Sequence, residues 1–175
     1  AIFKNKLLSS LASNTIAKDL SGNNFKIDAN SDGQIQQSEA NQVGALEIIY
    51  PDPYGSNNIN PIQNYQGILS FVNVKSIKID YWNTPSSGIT ISNLNLLENL
   101  DISFYNSDPG NASVANCTNL KSFSIKGINL QSFSNTPLLK NVNIDLPLNV
   151  SYIQNILASV QTLANLENLT LSGNT

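Results

Sequence analysis

Apolar positions along the chain follow a pattern that repeats about every twenty residues. Three segments superimpose on one another: ISNLNLLENLDI at 91–102, VANCTNLKSFSI at 114–125 and FSNTPLLKNVNI at 133–144. Each begins with an apolar residue, a small residue and an asparagine, and each ends with apolar residues at alternate positions. Alternation with a period of two is typical of a strand that buries one face. The fixed spacing therefore predicts a repeat architecture.

The alternating part of each copy begins at an anchor residue. Counted from Val74 onward, the anchor spacings are 23, 23, 19 and 27 residues, and a weaker copy begins at Val43. These spacings fall in or near the range of leucine-rich repeats. We predict an α/β solenoid with a parallel sheet on its concave face, an irregular or short helical convex side, and five to six repeats over 46–175. The anchors of the regular copies are Val74, Leu97, Leu120, Leu139 and Leu166.

Stacked parallel strands would place equivalent polar residues in outward columns. One predicted column consists of Lys78, Asp101, Ser124, Asn143 and Thr170. The next consists of Asp80, Ser103, Lys126, Asp145 and Ser172. In this register Lys78 would neighbour Asp101, and Lys126 would neighbour Asp145.

The longest anchor spacing contains a second period. After Pro147, apolar residues recur at helical spacing, which predicts a helix on the convex side of this repeat. The residues concerned are Val150, Ile153, Ile156, Leu157, Val160 and Leu163.

Asn83, Asn106 and Asn129 lie 23 residues apart, nine places after their anchors. The usual leucine-rich pattern has its ladder asparagine eight places after the anchor. Whether this set forms a buried ladder stays open.

Composition excludes several classes of function for this chain. Only 12% of the residues are charged, the net charge is -3, there is no histidine, and every basic residue is a lysine. Without arginine or a basic stripe, nucleic acid is not expected as a partner. No spacing of nucleophile and base is recognisable, so we predict no enzymatic activity. Cys117 is the sole cysteine and is expected to be buried. We expect a monomer that does not insert into a membrane.

Residues 28–39, DANSDGQIQQSE, carry oxygen-bearing side chains at places 1, 3, 5 and 12, with a glycine at place 6. This spacing matches an EF-hand loop, in which place 7 contributes its backbone carbonyl and place 12 a bidentate carboxylate. An Asx-rich turn that binds nothing is the alternative. The predicted calcium ligands are Asp28, Asn30, Asp32, Gln34 and Glu39.

The loop is single, whereas EF-hand sensors normally work in pairs. We therefore predict a structural clip within an amino-terminal helical cap at 1–45. Phe3, Leu7 and Leu11 indicate a helix before the loop, and residues 38–43 can form a short helix after it.

Three stretches carry a resemblance: FKNKLL near the start, IDANSDGQIQQSEA around the loop, and INPIQNYQGILSFVNVKSIKI before the first regular repeat. Together with the repeats, they make the chain similar to secreted and surface leucine-rich-repeat proteins of bacteria that begin with a short helix and one EF-hand-like loop. The resemblance implies a binding or adhesion module that is secreted or displayed on the cell surface.

Tyr81, Trp82, Phe104 and Tyr105 follow two successive predicted strands. They would gather at one edge of the sheet, either as rim packing or as a binding hot spot. Our leading hypothesis is a noncatalytic recognition module that binds a protein, with a glycan as second choice. The alternative is an accessory repeat domain of a larger secreted enzyme or adhesin, with further chain beyond Thr175. The predicted partner-binding residues are Lys78, Asp80, Asp101, Ser103, Lys126, Asn143, Asp145, Tyr81, Trp82 and Tyr105.

Overall fold

The alternating segments of the sequence form strands, and the segments between them form strands or short helices. The computed structural model describes residues 2–50, 62–105, 110–145 and 150–173. The helices are α1 (Ile2–Leu8), α2 (Gln37–Ala40), a 3₁₀ helix (Gln66–Ser70) and α3 (Val150–Val160). The strands are β1 (Ala17–Asp19), β2 (Val43–Ile49), β3 (Ser76–Tyr81), β4 (Ile89–Ser92), β5 (Asn99–Phe104), β6 (Asn111–Ala115), β7 (Ser122–Lys126), β8 (Asn129–Ser134), β9 (Asn141–Asp145) and β10 (Asn168–Ser172).

These elements wind into a β-solenoid of about four turns. The main sheet has the order β1-β2-β3-β5-β7-β9-β10, and the return sheet has the order β4-β6-β8. Strands β2 to β10 of the main sheet run parallel, while β1 pairs antiparallel with β2. The predicted solenoid of parallel strands is therefore confirmed.

The core lies between the two sheets. Strands β2 to β9 of the main sheet turn alternate apolar side chains inward, as Leu100 and Ile102 do from β5. The rings of Phe123 and Phe133 lie 6.3 Å apart and join the main sheet to the return sheet. Burying a side chain of this size contributes about 1.5–3 kcal/mol, so each turn adds its own share of stability. The anchor positions are buried as expected at Val74, Leu97, Leu120 and Leu139.

The predicted strand register is confirmed. Lys78 lies opposite Asp101, and Lys126 lies opposite Asp145 with its Nζ 3.5 Å from Asp145 Oδ2. The two predicted columns continue through every parallel pair from β3 to β10. Register is fixed because a slip of one residue would turn every buried side chain of a strand outward.

The return side differs from the prediction. The prediction of an irregular or short helical convex side is wrong for three successive turns, because these turns carry the strands β4, β6 and β8. The physical reason is the alternation of Ile89 with Ile91 and of Ala112 with Val114, which buries every second residue as in the main strands. Helical returns flank this sheet, with the 3₁₀ helix against β4 and α3 against β8.

The corner after the return strands contains an asparagine ladder. Asn93, Asn116 and Asn135 adopt positive φ angles of 59°, 55° and 51°. The Asn116 side-chain amide donates to Asn93 Oδ1 at 3.0 Å, and the Asn135 amide donates to Asn116 Oδ1 at 3.0 Å. Asparagine tolerates the left-handed region better than most residues, and here it also links successive turns.

This ladder uses a different set from the shifted asparagines of the sequence analysis. Of those, Asn106 lies outside the described residues. The set that does form the ladder occupies the third place of each aligned repeat segment.

The opposite corner depends on a glycine where the turn is tightest. Gly127 separates β7 from β8 and has φ of 68°. A Cβ atom there would collide with the carbonyl oxygen of Phe104 in the preceding turn. No other residue type satisfies both the backbone angle and the close approach.

The amino-terminal segment shares the core of the repeats. Phe3 and Leu7 of α1 and Ile27 before the loop belong to the same apolar cluster as Val74. The helix ends at Leu8, so Leu11, which the sequence placed on its buried face, is exposed.

At the other end, Ile156 and Val160 of α3 are buried as predicted, whereas Leu157 is exposed. Leu169 and Leu171 of the edge strand β10 are also exposed. In the described part of the chain, no helix combines the length and the apolar character that a membrane span requires.

Neighbouring leucines test the assignment of inside and outside. Leu97 is fully buried, whereas Leu96 is 42% exposed. Replacing Leu97 with alanine is expected to lower the free energy of unfolding by about 2–5 kcal/mol, because it opens a cavity. The same change at Leu96 should stay within about 0.5 kcal/mol. Denaturant unfolding of both variants measures this, and equal losses would contradict the packing.

Two variants of Asn116 separate its two roles. Asn116→Gly removes two hydrogen bonds, each with a net value of about 0.5–1.5 kcal/mol, but accepts positive φ. Asn116→Ala loses the same bonds and adds about 1–2 kcal/mol of left-handed strain, so alanine should be the more destabilising. Asn95→Ala, at an exposed position outside the ladder, serves as control. Thermal unfolding that ranks glycine at or below alanine would refute the ladder's conformational role.

Candidate functional site

The outer face of the main sheet gathers most of the predicted partner-binding residues. Because side chains alternate along each strand, a residue that lies between two buried residues of the same strand projects outward. Six parallel strands place them in two neighbouring columns. The residues that the structure brings together in this way are Lys78, Asp80, Asp101, Ser103, Lys126, Asn143 and Asp145.

Asp101 lies at the centre of this face. Partial burial raises the pKa of its carboxyl above the usual value, and the neighbouring Asp80 adds to this rise. Lys78 and a hydrogen bond with Ser124 act in the opposite direction. Burial is the larger effect, so Lys78 and Ser124 only partly offset the cost of removing this carboxylate from water.

The aromatic edge divides into a buried half and an exposed half. Tyr81 and Phe104 end β3 and β5 and are buried, and the Tyr81 ring packs edge-on against Tyr50 at 5.0 Å between centroids. Tyr81 therefore presents no side-chain surface to a partner, which corrects its place among the predicted contact residues. The reason is the strand period, since Tyr81 continues the inward series of Ile77 and Ile79.

Trp82 and Tyr105 form the exposed half. Their rings are stacked, with centroids 6.4 Å apart and an angle of 26° between planes. Trp82 is 40% exposed and Tyr105 is 50% exposed. A hydrogen bond from the Tyr105 hydroxyl to the Asp80 carboxylate raises the pKa of Tyr105. The aromatic pair is thus joined to the acidic part of the outer face.

The loop at 28–39 has the turns that its spacing predicts. Ser31 and Gly33 adopt positive φ, and the Asp28 carboxylate accepts the backbone N–H groups of Asp32 and Gly33 at 3.1 and 3.2 Å. Asp28 is buried. A hydrogen bond from the Gln34 backbone N–H lowers the pKa of Asp32.

Glu39 closes the loop. Its Oε1 accepts the N–H of Ala29 at 2.8 Å, and its Oε2 accepts the N–H of Gln36 at 3.0 Å. Across the described residues, no three acidic, thiol or imidazole groups converge into a metal-binding cluster. The donor set nevertheless suits a hard cation, because it is all oxygen and includes a buried carboxylate held by backbone donors.

The elements around the loop also differ from an EF-hand. Helix α1 ends at Leu8, far ahead of Asp28, and β1 lies between them. After the loop, α2 at Gln37–Ala40 occupies part of the predicted short helix. No helix therefore leads directly into the loop, since residues 20–27 form turns and irregular chain.

Contacts tie the loop to both of its neighbours. Lys4 of α1 donates to Gln34 Oε1 at 2.6 Å. Gln37 donates to the carbonyl of Ser70 at 2.8 Å, at the end of the 3₁₀ helix that precedes the first regular turn. The loop thus bridges the amino-terminal helix and the solenoid.

Two features escaped the sequence analysis. A column of exposed ion pairs follows the anchors, with Lys121 Nζ 2.8 Å from Glu98 Oε2 and Lys140 Nζ 2.6 Å from Glu167 Oε1. Their signal in the sequence is a charged residue directly after each anchor of the regular copies: Lys75, Glu98, Lys121, Lys140 and Glu167. A cavity of about 430 Å³ beside the loop gave no signal, because three separate segments line it, including Phe3, Lys4, Gln34, Ile35, Gly67 and Phe71.

Comparison of the chain with protein-family models, with curated proteins and with solved structures finds no match.

Proposed function

We propose that this protein is a noncatalytic recognition module of the leucine-rich-repeat class, which binds a protein partner through the outer face of its main sheet. The observation that carries the proposal is the in-register array of polar side chains across six parallel strands, bordered by two exposed aromatic rings. Repeat proteins use such extended faces for binding.

The chemistry of this face fits a protein partner better than a catalytic role. Charged residues are spread along the columns, and Lys126 is paired with Asp145. Exposed tryptophan and tyrosine supply much of the affinity at protein interfaces. The resemblance to secreted and surface repeat proteins, and a composition in which asparagine and serine take the place of charged residues, favour a place outside the cell, secreted or on the cell surface.

We further propose that the loop holds one calcium ion as a structural clip. Asp28, Asn30, Asp32, the Gln34 carbonyl and Glu39 would hold the ion, which supplies positive charge that draws these oxygens together. The contacts of Gln34 with Lys4 and of Gln37 with Ser70 support this role, because they join the loop to the elements on either side.

The calcium proposal is tested by thermal unfolding in calcium and in chelator. A ligand that binds only the folded state contributes about 2.7 kcal/mol when its concentration is a hundredfold above Kd, so calcium should raise the melting temperature. Glu39→Gln should lose most of this response, whereas Glu47→Gln, a matched change on the outer face, should keep it. Hydrogen exchange should show chelator loosening residues 2–42 before β3. A chelator-insensitive melting temperature in all three proteins would refute the clip.

The recognition proposal is tested by capture from bacterial and host surface extracts. Asn143 projects from the outer face, and Ser132 projects from the return sheet; both are exposed. Asn143→Lys should weaken capture of the partner while leaving the melting temperature nearly unchanged, because exposed substitutions usually change stability little. Ser132→Lys should capture normally. Normal capture by Asn143→Lys together with weak capture by Ser132→Lys would place the binding surface on the return sheet instead.

A further inference from the structure

Trp82 and Tyr105 form an exposed aromatic pair at the surface of the protein. The side chains next to it in sequence, Tyr81 and Phe104, are buried and fix the strand ends. Trp82 and Tyr105 stack against each other on adjacent turns rather than folding into the core. Tryptophan and tyrosine offer a large apolar surface with two side-chain torsions, so they order on binding at low entropic cost.

The region beside the pair is acidic. Lys78 lies in register between Glu47 and Asp101, and Asp80 follows two residues along the same strand face. This patch of the outer face therefore carries three carboxylates and one ammonium. Asp80 stands two residues before Trp82, and the residue between them, Tyr81, is buried, so the alternation of side chains places this carboxylate on the same face as the aromatic pair.

The protein already holds a cation on this surface. Lys126 Nζ lies 5.8 Å from the centroid of the Tyr105 ring and 3.5 Å from Asp145 Oδ2. An ammonium is thus bound between an aromatic ring and a carboxylate, the arrangement that favours cations through the ring quadrupole and charge together. In the described part of the chain, no lysine lies in this way over Trp82.

We infer that Trp82, Tyr105, Asp80 and Asp101 form a receptor site for a cationic side chain, arginine or lysine, of the partner polypeptide. The inference rests on the proposed function and names the chemistry of its partner. Charge complementarity selects this occupant, since the site combines excess carboxylate with two exposed aromatic side chains. A neutral sugar would use the rings but would gain nothing from the surplus negative charge.

Trp82 is the only tryptophan of the chain, so its fluorescence reports on this site directly. We expect a capped tetra-arginine peptide to change the Trp82 emission saturably. The effect should weaken when salt is raised from about 0.1 M to about 1 M, which shortens the screening length from about 10 Å to about 3 Å. A tetra-glutamate peptide and a neutral glucose hexasaccharide should leave the emission unchanged.

Matched variants test which charged residues the response to tetra-arginine depends on. Asp80→Asn should weaken the tetra-arginine response by about threefold, as expected for loss of an exposed charge pair. Asp101→Asn provides a second, independent variant. Glu167→Gln, which removes the same charge at the far edge of the main sheet, should respond like the wild type. Lys126→Gln should strengthen binding, because it removes the competing ammonium from Tyr105.

The inference is overturned if tetra-arginine gives no saturable change, if both aspartate variants respond as the wild type does, or if the hexasaccharide changes the emission and tetra-arginine does not. The extract experiment stays separate. Capture that depends on Asn143, combined with an unresponsive Trp82, would keep the recognition function and reject the cationic partner.

Discussion

Backbone hydrogen bonds hold each turn of this protein in one fixed register with the turn before it. At the entrance to the main strands, the N–H of Lys121 donates to the carbonyl of Glu98 at 2.8 Å, and the N–H of Lys140 donates to Lys121 at 2.9 Å. This ladder sets the register. Once register is set, every second side chain reaches the core and every other one reaches the outer face.

The strand period therefore separates stability from recognition. Inward pairs such as Leu100 and Ile102 hold the turns together, whereas Asp101 between them is available to a partner. Changes on the outer face leave the core intact, so the binding properties of such a surface can vary without loss of the fold. The asparagine ladder and the exposed ion pairs reinforce the same stacking from the corners.

The period of two made the main sheet predictable, down to the pairing of Lys78 with Asp101. The same rule accounts for the return strands and for the burial of Tyr81. Both are hidden in the sequence, because Ile91 also begins the repeat motif and Tyr81 stands next to the exposed aromatic Trp82. Other features could not be predicted. The spacing of the loop identifies its oxygen donors, but only the folded chain brings Lys4 and Ser70 against it.

The two corners of a turn obey different rules. Asn93, Asn116 and Asn135 each stand four residues before their anchors, so the ladder corner keeps one length although the turn shortens from 23 to 19 residues. The difference falls on the opposite corner, where Gly127 makes the tight connection and Tyr105 precedes a longer one. The turns of this protein therefore vary in length at that corner, beside the aromatic pair, and keep one length at the ladder corner. A library of loops is best placed on this side of the solenoid, where its own turns already differ in length.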